Sequence, residues 1–324
     1  MNGDLSYITP VFNGAEYIEE VIDSVANQRS SNGDRFTHFV INDGSTDTTA
    51  QVLEDARSRY GNHLVVVHKE NGGEASAVNV GFQLAETDFV CVVNADDPLL
   101  ESHGLRMLEA LESAPSAVVA YPDWRMIDSE GEILDHRRTK EYDIRSLVGD
   151  FVCIPGPGAV IRTDAVPGDL RNENYRYVTD FELWLRLAGV GPFVRVPHEL
   201  ATWRLHDEGA TAMGSGEKIA NELLRLANEE LQLILPPGLF QRFRRSAVAH
   251  SCYYSALQLA REDPAKARKL IAKSFATKPY PSVGYDTDHR HPVGVVMALL
   301  GPVGARLIIP LGKLRRQIRR VLKR

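Results

Sequence analysis

Two short acidic turns concentrate the chemical functionality of this chain: Ile41-Asn42-Asp43-Gly44-Ser45-Thr46-Asp47 and Asn94-Ala95-Asp96-Asp97-Pro98. Each directly follows an apolar run rich in β-branched residues, Phe36 to Ile41 and Phe89 to Val93, as strands buried on both faces do. In an open α/β sheet, ligands gather beyond the carboxyl ends of the strands. Carboxylates in those turns suit a nucleotide held together with a hard, oxygen-seeking divalent cation. A third strand-like run, Leu64 to Val67, leads through Lys69 to Asn71-Gly72-Gly73. Glycine there lets the backbone approach a ligand closely, and the helix start that follows favours anions.

The elements that must position these residues alternate regularly. Leu5 to Thr9 reads as a first strand and Pro10 to Gly14 as a loop. Tyr17, Ile18, Val21, Ile22 and Val25 then recur at helical spacing. Further helical patterns run through Val52, Leu53 and Ala56, through Ala75, Val78, Asn79 and Phe82, and over 99–112; Ala117 to Tyr121 is another strand. This succession predicts an α/β fold: a mostly parallel, Rossmann-like sheet with flanking helices. Residues 1–122 form a nucleotide-binding half and 123–212 an acceptor half, with a hairpin turn at Ser129-Glu130-Gly131, an extended loop over 154–158 and one amphipathic helix, Tyr177 to Ala188. Phe181, Trp184, Leu185 and Leu187 are that helix's candidate buried positions. A helical C-terminal region spans 213–285, broken at Pro236-Pro237-Gly238 and Asp263-Pro264; 286–324 is an apolar, then basic, tail.

Length and composition suit one large domain with additions, or two domains: 324 residues, 44% of them hydrophobic. Strand-like sequence begins at once after Met1-Asn2-Gly3-Asp4, with no signal-peptide pattern. Cys91, Cys153 and Cys252 lie far apart and form no CxxC pair, so neither a disulfide framework nor a zinc site is expected, and a reducing cytoplasmic compartment is. The formal charge of −6 hides an asymmetry. Lys313, Arg315, Arg316, Arg319, Arg320, Lys323 and Arg324 leave 30 basic against 43 acidic residues in the remaining chain. So acidic a body argues against nucleic acid as a partner, whereas the tail suits anionic lipid. With the uncharged stretch Val293 to Ala305 it reads as an interfacial anchor, a packed or disordered terminus being the alternative.

Six ordered blocks, "ITPVFNGAEYIEEVIDSVANQ", "INDGSTDTT", "KENGGEASAVNVGFQLA", "NADDPLL", "YVTDFELWLRLA" and "ATWRLHDEGAT", together resemble the inverting family 2 glycosyltransferases of GT-A fold over about residues 5–210. The resemblance implies that Thr9, Pro10 and Phe12 lie beside the base, Glu16 on the ribose, and Asp43 on the uracil or ribose. Lys69 and Gly73 correspond to the next sugar-nucleotide contact. Asn94, Asp96 and Asp97 occupy the DxD-type metal motif, with Asp97 as direct ligand of Mn2+ or Mg2+ and Asp96 orienting the ribose or donor sugar. His206 matches a third metal ligand or phosphate donor, with Arg204 holding its loop. Asp180 takes the position of the base that removes the acceptor proton. Asn94 and Thr179 depart from the family's usual acids.

Local alternatives stand beside these roles. Asp43-Gly44-Ser45 also reads as a plain turn with Ser45 or Asp47 as N-cap, and Asp97-Pro98 as N-cap and N1. Thr179 and Glu182 have capping-box spacing, leaving Asp180 as a first-turn acid that the helix dipole favours. The implied activity is transfer from a nucleotide-sugar donor, UDP-linked, to a glycan or lipid-linked saccharide at the inner face of the cytoplasmic membrane, in bacterial surface polysaccharide synthesis. Acceptor contacts are expected from 122–160, including Asp123, Trp124 and Pro155 to Gly158, and the helical region could pair subunits into a homo-oligomer. The rivals are a sugar-1-phosphate nucleotidyltransferase and a non-catalytic nucleotide-sugar-binding scaffold. The first normally has a basic, glycine-rich loop after its first strand, where this chain has Pro10-Val11-Phe12-Asn13-Gly14.

Overall fold

Leu5-Ser6-Tyr7-Ile8-Thr9-Pro10-Val11 forms β1, every residue of it buried, as a strand covered on both faces requires. Parallel neighbours flank it: β2 (Thr37–Asp43) on one side and, later in the chain, β4 (Phe89–Val92) on the other, while β3 (Leu64–Lys69) pairs with the outer edge of β2. The chain thus builds outward from β1 to β3 and then returns to the far side of β1. That reversal opens a crevice beyond the carboxyl ends of β1 and β4, where such sheets bind ligands. The computed structural model describes residues 4–206, 216–260 and 262–278; the 286–324 tail and its expected anchor lie outside them.

The second half of the sheet is mixed rather than mostly parallel. β7 (Val160–Arg162) runs antiparallel between β4 and β5 (Val119–Ile127). β6 (Ile133–Arg137) returns antiparallel on β5, and β8 (Phe193–Arg204) runs parallel to β5. The expected hairpin turn joins β5 to β6, closed by Gly131 N–H donating to Asp128 O at 3.1 Å.

Helices α1 (Ile18–Ala26), α2 (Thr49–Tyr60), α3 (Glu74–Leu84), α4 (His103–Ser113) and α5 (Thr179–Ala188) flank the sheet. Leu5, Tyr7 and Val11 share one face of β1: Leu5 and Tyr7 pack with Val21, Phe36, Met107 and Leu111, and Val11, farther along the strand, with Ile18, Ile22, Val40 and Leu53. Helix α3 crosses close to β1 at Gly81, where a Cβ would stand 2.5 Å from Ile8 Cγ2.

Three expected helix starts shift. Thr48 is the N-cap of α2, and Asp47 instead accepts from Thr49 N–H at 3.0 Å. Asp97 caps nothing, because α4 begins only after Ser102, whose φ is 63°. The intervening backbone is tied sideways: Leu99 N–H donates to Ser24 Oγ at 3.0 Å and Leu100 N–H to Leu200 O at 2.9 Å. Helix α5 begins one residue early, with Val178 as N-cap, so Thr179 and Glu182 make no capping box. The expected buried positions Phe181, Trp184, Leu185 and Leu187 are indeed buried.

Residues 145–152 and 216–278 form a second unit, so Arg145–Val152 belongs with the helices rather than with the 123–212 half. It contains α6 (Gly216–Arg225), a π-helical turn (Leu226–Glu230), α7 (Leu231–Ile234), α8 (Pro237–Leu259) and α9 (Pro264–Thr277). The two expected breaks are its proline-led helix starts, and Asp263 caps α9 by accepting from Lys266 N–H at 2.9 Å. Tyr253, Ala256, Leu259, Ala267 and Ile271 form its core. No helix among the described residues is long and apolar enough to cross a membrane.

Candidate active site

The loops after β1 and β2 are laced together at the mouth of the crevice. Asn13, at φ 52°, donates its N–H to Ser45 Oγ (2.9 Å) and accepts at Oδ1 from Thr46 N–H (2.8 Å). Gly14 N–H donates to Thr49 Oγ1 at 2.9 Å. This lacing leaves Phe12 with 52% of its surface exposed, an aromatic face open for stacking, and Glu16 exposed beside it. Thr9 and Pro10 lie differently from expectation. Both are buried inside β1, and the Thr9 hydroxyl is 2.8 Å from His38 Nε2.

Asp43, at the end of β2, organises the turn after β3. Its Oδ1 accepts from Lys69 Nζ at 2.6 Å and Gly72 N–H at 2.9 Å, and its Oδ2 from Gly73 N–H at 2.7 Å. Gly73 has φ 90°, a conformation that suits glycine. The structure therefore joins Asp43, Lys69 and Gly73 into one rigid node. Asp43 is more than a plain turn residue, though its carboxylate is already engaged by protein donors.

The acidic loop after β4 is held from the far end of the chain. Asp97, 3% exposed, accepts from Asn94 Nδ2 at 2.8 Å and from Arg204 N–H at 2.7 Å. Arg204 Nε donates to Asp96 O (2.9 Å), Nη1 to Asp128 O and Ser129 O (3.2 and 3.1 Å), and Nη2 to Glu20 Oε2 (2.5 Å). Its guanidinium is thus occupied elsewhere and leaves the Asp97 carboxylate without an ion-pair partner. Burial, reinforced by the neighbouring Asp96 charge, pushes the Asp97 carboxyl up to about 8. His206, just past β8, bonds Asp96 Oδ2 through Nε2 at 2.9 Å and packs on Tyr17, ring centroids 5.0 Å apart. His206 is thus tied to the same acidic loop that carries Asp97.

A divalent cation fits this donor set. A buried carboxylate that resists ionisation is relieved by a nearby positive ion, and carboxylate with imidazole suits Mn2+ or Mg2+. No cluster of three metal-ligating side chains is assembled among the described residues. One or two protein ligands completed by substrate phosphates is a usual arrangement for such ions.

Asp180 is partly exposed in the first turn of α5, and its Oδ1 accepts from Phe181 N–H at 2.7 Å. Glu182, 1% exposed, instead binds Arg186, whose Nε donates to both carboxylate oxygens at 2.9 and 3.0 Å. Arg186 also donates to Pro167 O, Asp169 O and Leu170 O, clamping the segment that leads into α5. Asp123 is structural as well. It accepts from Thr139 and from Arg195 Nη2, the latter at 2.7 Å, which removes it as an acceptor contact. Trp124 lies edge-on to Trp203 and against Gly156.

One residue that sequence reasoning missed links these parts. Glu74, the first residue of α3, is solvent-exposed yet lies within electrostatic reach of both Asp96 and Asp180, and of Arg171. Crowding by protein, followed by those carboxylates, raises its carboxyl pKa; Arg171 opposes the rise. The two chain-distant acids thus both lie within electrostatic reach of Glu74. Position immediately after Asn71-Gly72-Gly73 was the only available sequence signal.

Residues 6–166 match the glycosyl transferase family 2 model. An uncharacterized glycosyltransferase of Rickettsia typhi is 31% identical over 64% of this chain and 65% of its own length. One of Rickettsia prowazekii is 30% identical over 62% of this chain and 64% of its length. The chain therefore spans just under two thirds of these relatives. The minor teichoic acid biosynthesis protein GgaB of Bacillus subtilis is 23% identical over 68% of the chain and 25% of its own length. Among solved structures, S. aureus TarS superposes with a TM-score of 0.61 at 18% identity, covering 85% of this chain and 49% of TarS. The Pyrobaculum calidifontis mannosyltransferase PcManGT, solved with GDP-Man and Mn2+, superposes at 0.55 with 16% identity, covering 94% of this chain and 88% of PcManGT. Both share the fold.

Proposed function

The chain belongs to glycosyl transferase family 2 through residues 6–166, and from that premise we propose that it moves a sugar from a nucleotide diphosphate donor to a saccharide hydroxyl with inversion. The observation that carries this reading is the convergence on Glu74, which lies within electrostatic reach of Asp96 after β4 and of Asp180 at the start of α5. A donor lying across the ends of β1 and β4 places its base by Phe12 and its ribose by Glu16, with the Asp43-Lys69-Gly73 node beneath the nucleotide. Asp97 and His206 would hold Mn2+ or Mg2+, which neutralises charge on the departing diphosphate.

The protein's own part is orientation and proton removal. Asp96, fixed by Arg204 through its carbonyl and by His206 through its carboxylate, orients the donor sugar. The acceptor oxygen attacks the anomeric carbon from the face opposite the diphosphate. As the new C–O bond forms, the bond to the diphosphate oxygen breaks and its electron pair leaves with the nucleotide. Asp180 takes the acceptor's hydroxyl proton, the work of a positioned general base.

UDP is the proposed nucleotide: structures of TarS carry UDP and UDP-GlcNAc. GDP is the tested alternative, since PcManGT carries GDP-Man. A surface-polysaccharide acceptor follows from the likeness to GgaB. Thermal stabilisation by UDP and GDP, each in Mn2+ and in chelator, followed by donor hydrolysis, tests the reading. We expect a larger shift with Mn2+ and slow release of free sugar; equal shifts in chelator would refute the metal role. The anomeric configuration of the product, read by NMR, tests inversion. We further propose that residues 293–324 anchor the chain on anionic lipid. Co-sedimentation with anionic vesicles, for the full chain and one ending at 292, tests that, and unchanged binding on truncation refutes it.

A further inference from the structure

Arg171 is 7% exposed, and its guanidinium makes no hydrogen bond among the described residues; Nε and Nη1 are wholly enclosed and unpartnered. Its backbone, by contrast, is fixed. The buried Asn79 of α3 accepts from Arg171 N–H at Oδ1 (2.8 Å) and donates from Nδ2 to Arg171 O (2.9 Å). A side chain so anchored at its root cannot swing far to find a partner. Glu74 is within electrostatic reach but forms no ion pair with it. The Cys153 thiol lies within electrostatic reach of both Arg171 and Asp180, so the guanidinium and the Asp180 carboxylate share a neighbour. A second buried donor stands in the same neighbourhood: Trp184 Nε1, with no oxygen or nitrogen partner and only the Cys153 thiol beside it.

A buried guanidinium without acceptors is costly, and an oxyanion offsets that cost better than a neutral group does. Its planar fork matches carboxylate and phosphate oxygens in pairs. Resting on the glycosyltransferase reading, we infer that Arg171 determines specificity by binding a carboxylate or phosphate carried on a sugar substrate. The substituent sits on the donor sugar or on the acceptor; both border Asp180.

Two binding arms separate those sources, using the full chain with Mn2+. In the donor arm, UDP-glucuronate is compared with UDP-glucose by calorimetry. In the acceptor arm, glucose 6-phosphate is compared with glucose, each titrated into chain saturated with UDP. In one arm the acidic member should bind about 10- to 100-fold more tightly, the range for a hydrogen bond to a charged group. Arg171→Gln should bring that ratio to about one, Arg171→Lys should retain part of it, and UDP affinity should stay unchanged in both. Unchanged UDP affinity also shows that the variants remain folded. A ratio near one in both arms for the unaltered chain, which needs no variant, overturns the inference. So does a preference that survives Arg171→Gln. Failure of the unaltered chain to bind either UDP or GDP would instead overturn the glycosyltransferase reading, and this inference with it.

Discussion

In chelator, stability should fall as pH rises towards 8, and Asp97→Asn should abolish the part of that fall due to Asp97. The carboxyl has an ordinary value of 3.8 and stands at about 8 in the folded chain. Between those values the native state holds a proton that the unfolded chain has released, so stability drops with pH, by up to about 1.4 kcal/mol per unit. The neutral buried imidazoles of His38 and His103, lowered to about 3 and 4, act oppositely, but only below their ordinary 6.5. From pH 6.5 to 8, Asp97 therefore acts without them and costs about 1.5–2 kcal/mol. For a chain of this size that is about 2–3 °C in Tm. Asp97→Asn keeps an acceptor for Arg204 N–H, and the Asn94 amide can turn to match the new group. Glu74 titrates in the same direction but is common to both proteins, so the difference between their curves isolates Asp97. Melting curves across this window, with EDTA and with Mn2+, decide the matter. In EDTA the variant should gain on the parent as pH rises; in Mn2+ the parent's downward slope should flatten, because the ion stabilises the charged carboxylate. Parallel curves for parent and variant in EDTA would refute the assigned environment of Asp97.

Asp180→Asn should cut transfer by about 10²–10⁴-fold with UDP affinity unchanged; retained turnover in single-turnover assays would move the base elsewhere. Glu182→Gln should lower stability by about 1.5–3 kcal/mol through loss of its charged bond to Arg186, read as a lower urea midpoint at an unchanged slope. A silent Glu182→Gln would show that Arg186 is held by its three carbonyls alone. On the acid side, stability should fall as pH drops below 6.5, because His38 and His103 are buried neutral. His103 Nε2 lies 2.8 Å from Gly158 O; His103→Gln, which keeps a donor for that carbonyl, should shift the acid-unfolding midpoint to lower pH, and an unmoved midpoint would contradict a buried neutral imidazole at 103.

The nucleotide half of the sheet was legible because its strands are short apolar runs and its helices periodic, signals local to a few residues. The second half read less well. Three-residue β7 is too short to announce itself, and the antiparallel insertion between β4 and β5 depends on partners far along the chain. Among the site residues, the acidic loops were legible as turns after strands. Burial was not: the resemblance puts Thr9 and Pro10 beside the base, whereas pairing with β2 carries the strand on to Val11 and encloses both. The Thr179–Glu182 spacing fits a capping box in sequence, but Arg186 one helical turn on competes for the buried Glu182, and a guanidinium wins over a backbone N–H. Glu74 and Arg171 acquire meaning only through distant neighbours, which no local pattern encodes.

The hydrogen bonds from Arg204 also bear on the order in which the chain assembles. The acidic loop accepts them across sequence separations of 107 and 108 residues, and Glu20 across 184. Closing loops of that length carries an entropic cost that must be met before the contacts reward it. The β1 to β4 layer can therefore pair locally while the loop after β4 still lacks the residue that sets it. During synthesis the sheet would precede its own chemistry, and a ribosome-bound chain that has not yet exposed Arg204 would have the parallel β1 to β4 layer without an ordered acidic loop. The donor site is, in this sense, a late checkpoint on completion of the first unit.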